Sequence, residues 1–222
     1  MILTRACIFD LDGVIVDTAK YHFLAWKRLA DQLGINFTET DNERLKGVSR
    51  MASLEIILEI GKKDFSKEEK SLFATLKNGW YFDYINKMTP EEILPGSVEF
   101  IKKVKRAGLK TAVGSASKNT PTILGRVGLM DLFDAIADGN NVKKAKPDPE
   151  VFIKAAEMMH VEPKHCVVFE DAMAGVKAAL NAGMMCIGIG SDKILTEAHY
   201  VVSGLHEMSI DKLKLYEKNF RS

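Results

Sequence analysis

Apolar positions along the chain fall into two successive rhythms. Ala6–Phe9 is a short unbroken apolar run ended by Asp10, with the length and the Ile and Phe content of a buried strand, and Gly13 suits a sharp exit from it. The spacing then predicts a helix over 19–33, entered through an N-cap at Thr18 and stopped at Gly34. His22, Trp26, Leu29 and Leu33 share its stripe, with Ala30 beside them. Helical spacing continues from 38 to 88, with Leu54, Ile57, Leu58 and Gly61 in one pattern and Leu72, Leu76, Tyr81 and Ile85 in another. No strand pattern is expected between 14 and 89, and Pro90 with Leu94-Pro95-Gly96 closes the helical block.

After Pro95 the rhythm alternates. Helices are expected over 97–107, 119–127, 149–159, 172–181 and 209–220, and strands over 110–114, 135–138, 166–170 and 185–189. Such alternation implies right-handed crossovers and a parallel sheet covered on both faces. The expected fold class is therefore α/β: a parallel-sheet core, residues 1–15 and 93–222, with a helical insertion over 16–92 placed just after the first strand.

Composition narrows the function classes. The 222 residues, 46% apolar and 27% charged, suit one large domain or a domain with an insertion. A net charge of +1, from 31 basic and 30 acidic residues, gives no reason to expect a nucleic acid or an anionic membrane as partner, although local basic groups could hold a small anion. Cys7, Cys166 and Cys186 each sit in an apolar run outside any Cys-x-x-Cys pair. They read as buried thiols, which fits a cytoplasmic setting. Arg5 and Asp10 interrupt the apolar start before a signal-peptide core could form, and no stretch approaches the ~20 apolar residues of a membrane span. No exposed heptad demands a dimer, so a monomer is expected.

Four polar clusters stand where predicted strands end: Asp10-Leu11-Asp12-Gly13, Ser115-Ala116-Ser117-Lys118-Asn119, Lys146-Pro147 and Glu170-Asp171. Singly, each reads as a turn, a helix entry or a solvated lysine. Together they converge on the sheet edge where ligands of open α/β folds bind. Asp10, Glu170 and Asp171 would gather three negative charges, untenable in a partly buried site without a cation. Three such oxygens plus a backbone carbonyl suit Mg²⁺. Screened by the metal, Asp10 could attack an anionic phosphorus, with Ser115, the N–H groups after it and Lys146 holding the phosphoryl oxygens. Asp12, past the strand end, could reach the leaving group as general acid and base.

These residues resemble the haloacid dehalogenase superfamily. Asp10-Leu11-Asp12-Gly13-Val14 with Asp17-Thr18 resembles its first motif, and Ser115, Lys146-Pro147 and Glu170-Asp171 the other three in order, over essentially the whole chain. The resemblance implies a Rossmann-like core with a helical cap that opens and closes over the site. It implies Asp10 as phosphoryl acceptor, and Mg²⁺ held by Asp10, the Asp12 carbonyl, Glu170 and Asp171. Tyr21-His22-Phe23, Trp26, Leu45-Lys46-Gly47-Val48-Ser49-Arg50 and Ser115–Asn119 resemble the sugar-phosphate mutases of that superfamily. This implies interconversion of glucose 1-phosphate and glucose 6-phosphate, with glucose 1,6-bisphosphate as activator and intermediate.

By that resemblance Arg50, whose planar fork suits a phosphate, would bind the phosphate not being transferred, with Ser117, Lys118 and Asn119. Lys77 and His22 would couple cap closure to the catalytic carboxylates. Thr18, Trp26, Gly47, Val48, Ser49 and Ala116 would complete the substrate site, although Trp26 alone reads as packing between helices. Ala172 departs from the serine that relatives commonly carry after the Glu-Asp pair. Two alternatives stay open: a Mg-dependent sugar-phosphate phosphatase with the same core, and a non-catalytic sugar-phosphate-binding protein. A dehalogenase gives Asp12 no task.

Overall fold

The structure, a computed structural model, describes residues 4–220. Its first strand, β1 (Ala6–Phe9), is followed by four helices: α1 (Ala19–Gln32), α2 (Glu39–Asn42), α3 (Arg50–Ile60) and α4 (Lys67–Ile85). The chain then runs through α5 (Ser97–Arg106), β2 (Lys110–Gly114), α6 (Thr120–Arg126), β3 (Ala135–Ala137), α7 (Glu150–Met158), β4 (Cys166–Glu170), α8 (Met173–Asn181), β5 (Met185–Ile189), β6 (Tyr200–Val202) and α9 (Ile210–Phe220).

The strands form one parallel sheet in the order β3-β2-β1-β4-β5-β6. Chain order reverses at β1, which pairs with β2 on one side (Phe9 opposite Val113) and β4 on the other (Phe9 opposite Phe169). The residues that follow β1, β2 and β4 therefore meet at one crevice, the place where such sheets bind ligands. Alternation sorts the buried side chains. Cys7, Phe9, Val113, Val167, Phe169 and Ile187 join Phe100, Ile101, Ile123, Leu124 and Leu213 on one face. Ala6, Ile8, Ala112, Val168 and Cys186 join Val151, Phe152, Ala155 and Val176 on the other. Burial on both faces is why these strands read as unbroken apolar runs.

The helices inserted after β1 have their own apolar cluster, with Trp26, Leu29, Phe37, Leu54, Ile57 and Ala74. α1 and α4 lie along each other, while Tyr81 and Ile85 at the C-terminal end of α4 reach the core cluster. The two linkers run side by side. Val16 bridges antiparallel to Ile93, Asp17 N–H donates to the Glu92 carbonyl at 2.8 Å, and Leu94 N–H donates to the Ile15 carbonyl at 2.9 Å.

Several expectations need correction. β6 was not expected; Tyr200-Val201-Val202 is only three residues long and lies at the sheet edge, too short an apolar run to stand out. The third strand ends at Ala137, leaving Asp138 in the following turn. On α4 Leu72 and Leu76 are exposed, and the buried face is Ala74, Lys77, Tyr81 and Ile85. Thr18 stands at the N-cap position of α1 but its side chain caps nothing there. The three cysteines are free and buried. Among the described residues no helix is long and apolar enough to cross a membrane.

Candidate active site

β1 delivers Asp10 to the crevice with its N–H bonded to the Phe169 carbonyl at 2.9 Å. Gly13, at φ +81°, turns the chain there, and a Cβ at Gly13 would strike the Asp171 carboxylate, so only glycine allows this approach. Asp10, Glu170 and Asp171 each bring a carboxylate oxygen within 4.8 Å of the others. Between two of them lies Lys146, whose Nζ donates to Asp10 Oδ1 at 2.6 Å and Glu170 Oε2 at 2.7 Å. The Lys146–Pro147 peptide bond, whose isomer the sequence left open, is cis.

Electrostatics follow from burial. Burial alone would depress the Lys146 pKa, but the adjacent Asp10 and Glu170 more than reverse this and raise it. Burial, then repulsion from Asp10, pushes Glu170 up to about 7. Burial, then Glu170 and Asp10, pushes Asp171 well above the ordinary carboxylate range. One lysine is thus short of neutralising the cluster. A buried, all-oxygen donor set of this charge fits a hard divalent cation such as Mg²⁺.

Asp12 stands apart from that cluster. Thr18 Oγ1 donates to Asp12 Oδ1, so the hydroxyl that fails to cap α1 is spent on this carboxylate. Burial and then Asp10 raise Asp12 to about 6. His22 Nε2 lies 3.9 Å from the same Oδ1, and His22 Nδ1 lies 3.0 Å from Lys77 Nζ. Which of the two donates follows from the tautomer of the His22 ring. Lys77 is only 2% exposed and is boxed by the rings of Trp26 and Tyr81, each centroid 4.6 Å from Nζ. Burial, then the Arg50 charge, lowers Lys77 well below its usual value; burial, then Lys77, does the same to His22.

A cavity of about 450 Å³ lies between the inserted helices and the core. Of the sequence-predicted residues, Asp10, Asp12, Lys146 and Asp171 line it from the sheet edge. His22, Trp26, Gly47, Val48, Ser49, Arg50 and Lys77 line it from the inserted helices, and Ala116, Ser117, Lys118 and Asn119 from the loop after β2. Thr18, Ser115 and Glu170 are fully buried and stand outside that lining. Ser115 Oγ accepts the Ser117 N–H at 3.1 Å, and Ser117 Oγ accepts the Asn119 N–H at 3.1 Å, which shapes the loop. Ser49 caps α3 by accepting the Ala52 N–H at 3.2 Å, which sets Arg50 at the first helical position. Trp26 serves both readings, being 2% exposed in the cap cluster and also facing the cavity.

Sequence reasoning missed Asn78, Ser53, Thr75, Lys143 and Lys144, which also line the cavity. Asn119 Nδ2 donates to Asn78 Oδ1 at 3.2 Å, tying the inserted helices to the core across the cavity. Arg126 Nη2 adds a second tie to Asn86 Oδ1 at 3.2 Å. Ser53, one turn beyond Arg50 and buried on an otherwise apolar face, was the only one with a visible signal.

Known proteins share this arrangement. The family model for haloacid dehalogenase-like hydrolases matches residues 4–183. A β-phosphoglucomutase of Bacillus subtilis is 43% identical over 211 residues, 94% of this chain and 93% of its own. A phosphorylated carbohydrates phosphatase of Thermotoga maritima is 33% identical over 95% of this chain and 98% of its own. The crystal structure of β-phosphoglucomutase from Clostridium difficile superposes with a TM-score of 0.94 at 41% identity, covering 98% of this chain and 99% of that one. With residues 4–183 under one family model and its sheet, crevice and carboxylates arranged as described, the chain belongs to the haloacid dehalogenase-like hydrolase family.

Proposed function

We propose that the protein interconverts β-D-glucose 1-phosphate and D-glucose 6-phosphate through a phosphoaspartate at Asp10 and β-glucose 1,6-bisphosphate. One observation carries the reading: a single cavity is lined both by the Asp10, Asp12 and Lys146 constellation and by Arg50 with the Ser117–Asn119 loop. A bisphosphorylated sugar needs two such anion sites. The similarity to the β-phosphoglucomutases of B. subtilis and C. difficile supports the choice of glucose phosphates.

In this reading phosphorylated Asp10 gives its phosphoryl group to a sugar hydroxyl. The bond from the Asp10 carboxylate to phosphorus breaks as the bond from the sugar oxygen forms, and Asp12 takes the hydroxyl proton. The bisphosphate then turns end over end. Asp10 attacks the other phosphorus, and Asp12 returns its proton to the departing oxygen. A pKa of about 6 suits Asp12 to both directions near neutral pH. Lys146 orients the Asp10 carboxylate, and Thr18 holds Asp12 in place. Arg50, Ser117, Lys118 and Asn119 hold the idle phosphate. Magnesium, held by Asp10, Glu170, Asp171 and the Asp12 carbonyl, would neutralise charge at the transferring phosphoryl group.

The test is a coupled assay with Mg²⁺, β-glucose 1-phosphate and trace glucose 1,6-bisphosphate, following glucose 6-phosphate and free phosphate in parallel. Glucose 6-phosphate with little free phosphate is the expected result. Free phosphate as the main product would move the protein to the phosphatases, the reading favoured by its similarity to the T. maritima enzyme. No turnover of either kind would leave a binding protein.

A further inference from the structure

Two cations at the cavity mouth have no part in the chemistry described above. Lys143 and Lys144 line the same cavity as Asp10 and Arg50, yet they lie on the stretch between β3 and α7 and belong to neither anion site. Both are exposed. Among the described residues Lys143 has no ion pair, and Lys144 has only Asp148, at 3.4 Å. Their backbone is nevertheless fixed. Lys143 N–H donates to both Glu150 carboxylate oxygens at 3.1 Å, and Lys144 N–H donates to Glu150 Oε2 at 2.7 Å. Asp148 Oδ1 in turn accepts the Glu150 N–H at 3.0 Å. A carboxylate at the first residue of α7 thus clamps the turn and keeps two positive side chains at the rim. The acids lining the cavity, Asp10, Asp12 and Asp171, come from the loops after β1 and β4.

Resting on the phosphoglucomutase reading, we propose that the Lys143–Lys144 turn captures hexose bisphosphate in preference to hexose monophosphate. Each phosphate ester carries about −1.5 to −2 charge at neutral pH, so the bisphosphate carries roughly twice the charge of either monophosphate. Attraction to a fixed pair of cations grows with ligand charge and is strengthened where a cleft focuses the field. An enzyme that releases its bisphosphate between half-reactions loses the phosphoryl group from Asp10 and must be primed again. A rim selective for the more highly charged ligand shortens that idle interval, and the monophosphates present in excess gain less from it.

The experiment compares wild type, K143Q/K144Q and a control, K102Q/K103Q, which makes the same charge change on the exposed face of α5. For each, the initial slope of activation by glucose 1,6-bisphosphate and kcat/KM for β-glucose 1-phosphate are measured at about 20 mM and about 200 mM salt. In K143Q/K144Q the bisphosphate slope should fall about tenfold at low salt and the monophosphate kcat/KM about threefold. The gap should close at high salt, with the control near wild type. Equal losses for the two ligands, an equal loss in the control, or no loss would overturn the proposal. Calorimetric titration of both ligands into D10N and D10N/K143Q/K144Q keeps it testable without turnover. A wild type devoid of mutase activity would refute the phosphoglucomutase reading alone. Lysine substitutions that leave the D10N preference for bisphosphate unchanged would refute the capture role.

Discussion

Asp12 divides its work between two atoms, and the division can be tested. Its carboxyl group, held by Thr18 and facing His22, is the proposed proton carrier, while its carbonyl is a proposed metal ligand. Asp12→Asn should lower turnover by about 10²–10⁴ and leave the thermal shift on adding Mg²⁺ intact; near-normal turnover would remove Asp12 from proton transfer. The metal cluster predicts a pH signature. Glu170, raised to about 7, and Asp171, raised well above its usual range, hold protons in the metal-free fold that Mg²⁺ must displace. Metal affinity therefore climbs as pH rises towards the folded values and levels off above them. The Mg²⁺-induced rise in Tm should be small at pH 5, large at pH 7.5, and flattened in Glu170→Gln. Comparing with and without the cation at each pH cancels the separate contribution of His22, whose lowered pKa also favours the fold at higher pH. Lys77 marks where residue-level reading fails. A lysine in a helix reads as solvated, and nothing local reveals that Trp26 and Tyr81 supply ring faces to bury it.

Among the elements, those with strong local signals were legible. Short apolar runs ending in Asp10, Gly114 or Glu170 are what a strand covered on both faces must look like. The helical block also stood out by its apolar spacing, and in the structure Ser66 with Glu69 and Thr38 with Asp41 form capping boxes that start its helices locally. β6 escaped because it is only three residues long and half exposed at the sheet edge, so its place depends on pairing with β5. The face of α4 was misassigned because Leu72 and Leu76 are apolar while Lys77, one turn before Tyr81 on the buried face, is charged, and tertiary contacts decided the outcome. The turn before α7 makes a prediction at this scale. Glu150 clamps the segment that carries Lys146, so Glu150→Ala should lower kcat about tenfold with only a small loss of stability. Urea unfolding and steady-state kinetics together check it, and unchanged kcat would show that the fold holds Lys146 without the clamp.

At the scale of the whole molecule, the cavity exists only because the inserted helices sit on the core. Asn78 with Asn119, Asn86 with Arg126, and the approach of Gly47 to Ala172 hold the two parts together. A Cβ at Gly47, where φ is +71°, would lie 2.9 Å from the Ala172 Cβ, and the serine common at that position would crowd the contact further. Gly47→Ala should strain the loop by about 1 kcal/mol, prop the seat open and raise the ratio of free phosphate to glucose 6-phosphate several-fold. An unchanged ratio would show that water exclusion does not depend on this contact. The paired linkers bear on how such a seat is found again after each release. Two strips of chain zipped together from Ile15–Asp17 to Glu92–Leu94 behave as a strap: it bends across its width but resists corkscrewing. A lone tether would let the helical part swivel freely. The strap would leave it close to one rotational degree of freedom, so that an opened helical part would bring Gly47 back to Ala172 along a single arc.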